Sequence, residues 1–167
     1  MSVYSAWVRE PEGMRRALLG PDAETMRRWL AFLRIAVGAL YVYAFVTHLL
    51  GDFVAGFPDR VLLLAANNNL FMARSVLSGY VAGHPVLFGW GVMLIELLAG
   101  SLLVLGLGTR FVAGLAALLQ LIYLWASFGS STIALLANVL FIAALLVILG
   151  TSGGWRWSLD EMIINRR

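Results

Sequence analysis

Five polar side chains stand inside otherwise apolar runs, and each could do chemistry there. Glu96 lies in the run 86–107, Arg34 and His48 in 29–50, Gln120 in 111–128 and Asn138 in 133–149. If its run is helical, Glu96 sits about 15 Å deep. A carboxylate at that depth is costly unless it is neutralised or paired. It therefore either locks two helices together or serves as an acid that takes a proton or holds a headgroup. Arg34 lies about 9 Å from one end of its run. It either snorkels to the surface or reaches Glu96. His48 is suited to donating a hydrogen bond or moving a proton near the membrane surface. His84, just before Pro85, reads as an interface or solvent residue. A haem held by both histidines would need both rings on one cofactor, and their spacing does not demand it. Gln120 and Asn138 suit interhelical hydrogen bonds, or a shared polar pocket with Glu96. Tyr41, Tyr43, Tyr123 and Trp125 add aromatic surface that a quinone ring would accept. The candidate pocket is Arg34, His48, Glu96, Gln120 and Asn138, with Glu96 as the candidate catalytic group.

The elements that position these groups follow from composition. The chain has 167 residues, 61% hydrophobic and 13% charged. A soluble domain carries about 45–50% apolar and about 25% charged residues, so this chain cannot coat a water-soluble globule. Disorder is excluded by the same figures. There is no Cys, which excludes disulfides, thiol catalysis, Cys-ligated zinc and iron–sulfur clusters. No nucleotide fingerprint, phosphate loop or zinc motif is present. The net charge is +3, and all 12 cations are Arg. They are scattered beside apolar runs, which points to membrane topology rather than nucleic-acid binding.

The expected fold is all-α: an integral membrane, up-down four-helix bundle with spans at about 29–50, 86–107, 111–128 and 133–149. Each is close to the length that crosses a hydrocarbon core of about 30 Å. Residues 1–28 read as a polar N-terminal segment, and Asp22 as a helix N-cap. Residues 151–167 read as a polar tail. The outer segment, 51–85, holds two apolar stretches split by Asn67-Asn68-Asn69. It reads as one or two short helices, interfacial or re-entrant, forming a cap or a lid. The short turns at Gly106–Arg110 and Gly129–Thr132 make neighbouring spans antiparallel. Ala113 with Ala117, and Gly100 beside Ala99, are small enough for close helix contact.

Nine Arg fall in the N-terminal segment, the turn before the third span and the tail; the outer segment holds only Arg60 and Arg74. The positive-inside rule then places both termini in the cytoplasm. Trp residues near the span ends fit an interfacial belt.

Several motifs resemble the DoxX family over about residues 29–163. They are Arg34-x-x-x-Gly38, Glu96-x-x-x-Gly100, Gly106-Leu107-Gly108-Thr109-Arg110, and Trp157-Ser158-Leu159-Asp160 in the tail. His48 departs from the pattern, standing where relatives often carry Lys. The resemblance implies a four-helix protein of the bacterial inner membrane, linked to electron transfer into the quinone pool or to redox and stress-response complexes. Carried over by position, the matched polar sites are Arg34, Glu96, Arg110 and Asp160. The last two are candidates for an ion pair tying the turn to the tail.

The expected function is an accessory or electron-transfer subunit of a quinone-linked respiratory or photosynthetic complex. Its partners would be the lipid bilayer and other membrane subunits. The alternatives are a quinone-reducing subunit like that of thiosulfate:quinone oxidoreductase, whose electron donor is a partner, and a small transporter or proton path centred on Glu96.

Overall fold

The computed structural model describes residues 12–151, with side chains for 25–151. Within them every element is helical: α1 (Glu12–Leu50), α2 (Phe57–Asn67), α3 (Phe71–Ser75) running into a π-helical stretch (Val76–Val81), α4 (Pro85–Leu105), α5 (Thr109–Ala126) and α6 (Thr132–Gly150). Four are long and apolar enough to cross a membrane: α1 from Thr25, α4, α5 and α6. The protein is a multi-pass helical membrane bundle. Apart from the start of α1, which lies well before residue 29, the helix ends differ from the sequence-derived limits by about one or two residues, as helix boundaries do.

Two local details differ from expectation. Asp22 does not start a helix, because α1 already runs through it from Glu12. Met14, Arg15, Arg16, Ala17, Leu18 and Leu19 are good helix formers, so helix propensity on both sides carries the backbone across Pro21. The outer segment, expected to hold one or two short helices, holds two, and the second runs into a π-helical stretch.

Terminal signals behave as their chemistry requires. α2 and α4 each carry Pro in the first turn, where a missing N–H costs nothing. Ser131 caps α6 by accepting from Ala134 N. Gly106 ends α4 with a φ of 69°, and both Gly106 N and Leu107 N return to Leu102 O. A residue with a Cβ resists that left-handed conformation.

α1 and α4 pack antiparallel through a glycine crossing. A Cβ on Gly38 would fall 2.9 Å from both Gly100 O and Val104 N; one on Gly100 would fall 2.9 Å from both Gly38 O and Val42 N. As α1 advances from 38 to 42, its partner on α4 recedes from 104 to 100. α5 contributes the small residues Ala113, Ala116 and Ala117, all buried, and packs against α6.

The core has two parts. One lies within the bundle, around Val37, Leu103, Ala113, Ala116, Leu145 and Ile148. The other joins the outer segment to α4, through Phe53, Phe57, Val61, Ala65, Leu77 and Met93. Glu96 follows Met93 by one turn and precedes Ala99, so it sits where the two meet.

The Asn run is a joint. Asn68 is fully buried. Its Nδ2 donates to Trp125 O and Ala126 O, both at 2.9 Å, and its Oδ1 accepts from Leu70 N at 2.8 Å. It thereby occupies carbonyls at the end of α5 that a helix leaves without partners. Asn69 N adds a bond to Phe128 O. The outer segment is thus fastened to the end of the bundle that carries the α5–α6 turn.

Candidate functional site

Polar residues of α1 recur every seven positions, as Arg34, Tyr41 and His48, which keeps them near one helix face. Glu96 and Gly100, four apart, share a face of α4. Gln120 and Tyr123, three apart, share a face of α5. The bundle turns these stripes inward.

Glu96 is only 2% exposed, and both its oxygens are engaged. The Tyr123 hydroxyl donates to Oε1 at 2.9 Å. His48 Nδ1 lies 2.8 Å from Oε2; with Glu96 ionised, the imidazole N–H is the donor. Three helices therefore meet on one carboxyl group. The His48 side chain is 25% exposed, so it links the buried acid to the outside.

The outer segment covers this group. Asp52 adopts a φ of 49°, a left-handed conformation that Asp tolerates better than most side chains. The chain reverses, and the Phe53 ring returns to stack on His48 at a centroid distance of 3.9 Å. Phe57 packs edge-on against Phe53. Arg60, one turn further along α2, holds its guanidinium 5.2 Å from the Phe53 ring centre. Between these residues lies a cavity of about 280 Å³, bordered by His48, Glu96 and Tyr123 from the spanning helices and by Phe53, Phe57 and Arg60 from the outer segment. That is near the lower end of ligand pockets, about 300–1,000 Å³. It fits a single ring better than a large cofactor.

A second polar network lies beside the first. Tyr41 donates to Gln120 Oε1 at 3.1 Å, Gln120 Nε2 donates to Asn138 Oδ1 at 2.6 Å, and Asn138 Nδ2 donates to Ser127 Oγ at 3.1 Å. It ties α1, α5 and α6 together without bordering the cavity. Gln120→Leu is accordingly expected to lower stability by about 0.6–2 kcal/mol per lost bond. Thermal unfolding in detergent measures this; an unchanged midpoint would show the network to be idle.

The five expected pocket residues are thus divided. The structure brings His48 to Glu96. Gln120 and Asn138 form the neighbouring network. Arg34 is elsewhere and does not pair with Glu96. In antiparallel helices that cross at Gly38 and Gly100, Arg34 and Glu96 each precede the crossing glycine by four residues, so they are displaced in opposite directions. About 6 Å each way leaves them about 12 Å apart along the axis. Arg34 is fully buried rather than snorkelled. Arg110 is exposed on α5; its expected partner Asp160 lies outside the described residues. His84 is exposed, with Nδ1 3.1 Å from Tyr80 O. Among the described residues, no group of three His, Asp or Glu side chains could hold a metal ion.

Sequence reasoning missed Phe53 and Asn68 as positioning residues, counted Arg60 only as charge and Tyr123 only as aromatic surface. The Asn run was visible as an anomaly. Nothing local marked Phe53, whose role depends on the chain reversal at Asp52.

No curated protein and no solved structure gives a significant match. The DoxX family model matches residues 29–129, more than half of the 167. The match holds the Arg34/Gly38 and Glu96/Gly100 motifs, the outer segment and every residue bordering the cavity; the Ser-Leu-Asp tail lies beyond it. The chain is a member of the DoxX family.

Proposed function

We propose that this protein is a quinone-linked subunit of a membrane redox complex, in an accessory or electron-transfer role, and that a ring headgroup binds beneath the outer segment against Glu96. One observation carries the reading. A buried carboxyl, bonded to His48 and Tyr123, borders a ring-sized cavity that Phe53 and Phe57 also line. An apolar pocket with few convergent polar groups is the usual form of a small-ligand site. The bound ring would supply electron-carrying chemistry, with the electrons exchanged with a partner subunit. Glu96 would hold or take the proton of a ring oxygen, Tyr123 and His48 would orient the carboxyl, and Phe53 and Phe57 would exclude water. The Arg distribution supports a bacterial inner-membrane location with both termini cytoplasmic; in that orientation the cavity would face the outer side.

The test is equilibrium binding of a short-chain benzoquinone/benzoquinol mixture to the protein in nanodiscs, followed by tryptophan quenching. Saturable binding is expected, weakened about tenfold or more in Glu96→Ala, equivalent to about 1.4 kcal/mol. Linear partitioning indistinguishable from empty nanodiscs would remove the reading. Purification in mild detergent should yield a stoichiometric membrane partner, and a solitary chain would argue against the subunit role.

A further inference from the structure

We infer that the cavity discriminates between the two redox forms of a two-oxygen ring, holding the hydroxylated form in preference to the dione. The inference rests on the ring-binding reading above and adds a chemical selection to it. It follows from what each side of the cavity still has to offer once its internal hydrogen bonds are made.

On the inner side, the donors are already spent. The Tyr123 hydroxyl is committed to Glu96 Oε1 and the His48 Nδ1 proton to Oε2. A carboxylate has about four lone-pair sites and no donor, so two internal bonds leave acceptor capacity and nothing else. The neutral His48 ring, with its proton on Nδ1, has only an acceptor left, at Nε2. The buried acid side therefore asks a ligand for a donor.

The Arg60 side is the reverse. A guanidinium donates and cannot accept. Arg60 is exposed, sits against the Phe53 ring, and has no carboxylate within ion-pair distance among the described residues. It asks for an acceptor. Phe53, Phe57 and Val92 border the same cavity and suit the faces of a ring.

A ring with hydroxyls at both ends satisfies both sides, since each hydroxyl donates and accepts. A dione has only acceptors. It suits Arg60, but sets a carbonyl against a carboxylate that is itself buried. A site built to bond a hydroxyl rejects the analogue that lacks one far more strongly than a mismatch in size.

The test uses the full-length protein in nanodiscs, without oxygen, at about pH 8. A short-chain benzoquinone and its hydroquinone are titrated separately by tryptophan quenching. The hydroquinone should bind about tenfold or more tightly. Glu96→Gln should bring the ratio close to one, because its amide can donate to a carbonyl. Arg60→Gln should weaken both forms alike and keep the ratio, because Arg60 faces an acceptor in either. Monodisperse elution confirms that each variant folds. Equal binding of the two forms, or a ratio unmoved by Glu96→Gln, would overturn the selectivity while leaving ring binding intact. Absence of saturable binding by either form would overturn the ring-binding reading and the inference with it.

Discussion

Asn68→Ala is expected to loosen the outer segment from the bundle and to weaken ligand binding without touching the cavity. The side chain makes three bonds and is fully buried. Its loss strips Ala126 O and Trp125 O of their short donor and leaves Leu70 N without its acceptor. Trp125 O keeps backbone contacts from the Ser127 and Phe128 N–H groups. An unsatisfied buried polar group costs about 1–3 kcal/mol; relaxation and water entry recover part of it, so a net loss of about 2–4 kcal/mol follows. Asn68→Asp should do no better, because it keeps the acceptor for Leu70 but turns an anion towards two carbonyls. Hydrogen exchange would report the effect as faster exchange across 57–81, with α4 and α5 protected as before. Affinity for a ring ligand should fall as well, since Phe53, Phe57 and Arg60 reach the cavity from this segment. Native protection in Asn68→Ala would show that the apolar contacts of Phe57, Val61 and Leu77 hold the segment alone.

Gly100→Val should have an equal or larger effect through a different cause. Even the first carbon of a side chain would lie 2.8 Å from Val42 Cγ2 and 2.9 Å from both Gly38 O and Val42 N. Two of those three atoms are backbone, so rotamer changes give no relief and the helices must part. Overpacking costs about 1–3 kcal/mol, and a branched side chain lies at the upper end or beyond. The consequence for the site is direct. The His48–Glu96 bond spans the same two helices at 2.8 Å, and a shift of about 1 Å takes it outside hydrogen-bond range. Gly91→Ala is the control on the same helix. Nothing lies within 4 Å of its added carbon, and Ala is favoured over Gly in a helix by about 1 kcal/mol. Unfolding in detergent should show Gly100→Val destabilised and Gly91→Ala unchanged or improved; equal behaviour would mean that the crossing is not tightly packed.

Much of this architecture follows from the amino-acid sequence alone. Four apolar runs of spanning length, with almost no charge inside them, have one stable arrangement in lipid, because every backbone polar group must be satisfied within its own segment. Short glycine turns make α4, α5 and α6 successive antiparallel neighbours. Glu96 stands out for the same reason, since an acid at mid-span needs a partner. The identity of that partner was not local information. Arg34 carries the opposite charge and begins a motif like that of Glu96, yet the antiparallel Gly38–Gly100 crossing sends the two apart and raises His48 to the level of the acid. Tyr123 arrives from a third helix. Phe53 and Arg60 reach the site only because Asp52 reverses the chain and Asn68 fastens the outer segment to the end of α5. Periodicity along one helix shows which residues share a face; which faces meet, and at what height, is decided by close packing between helices far apart in the chain.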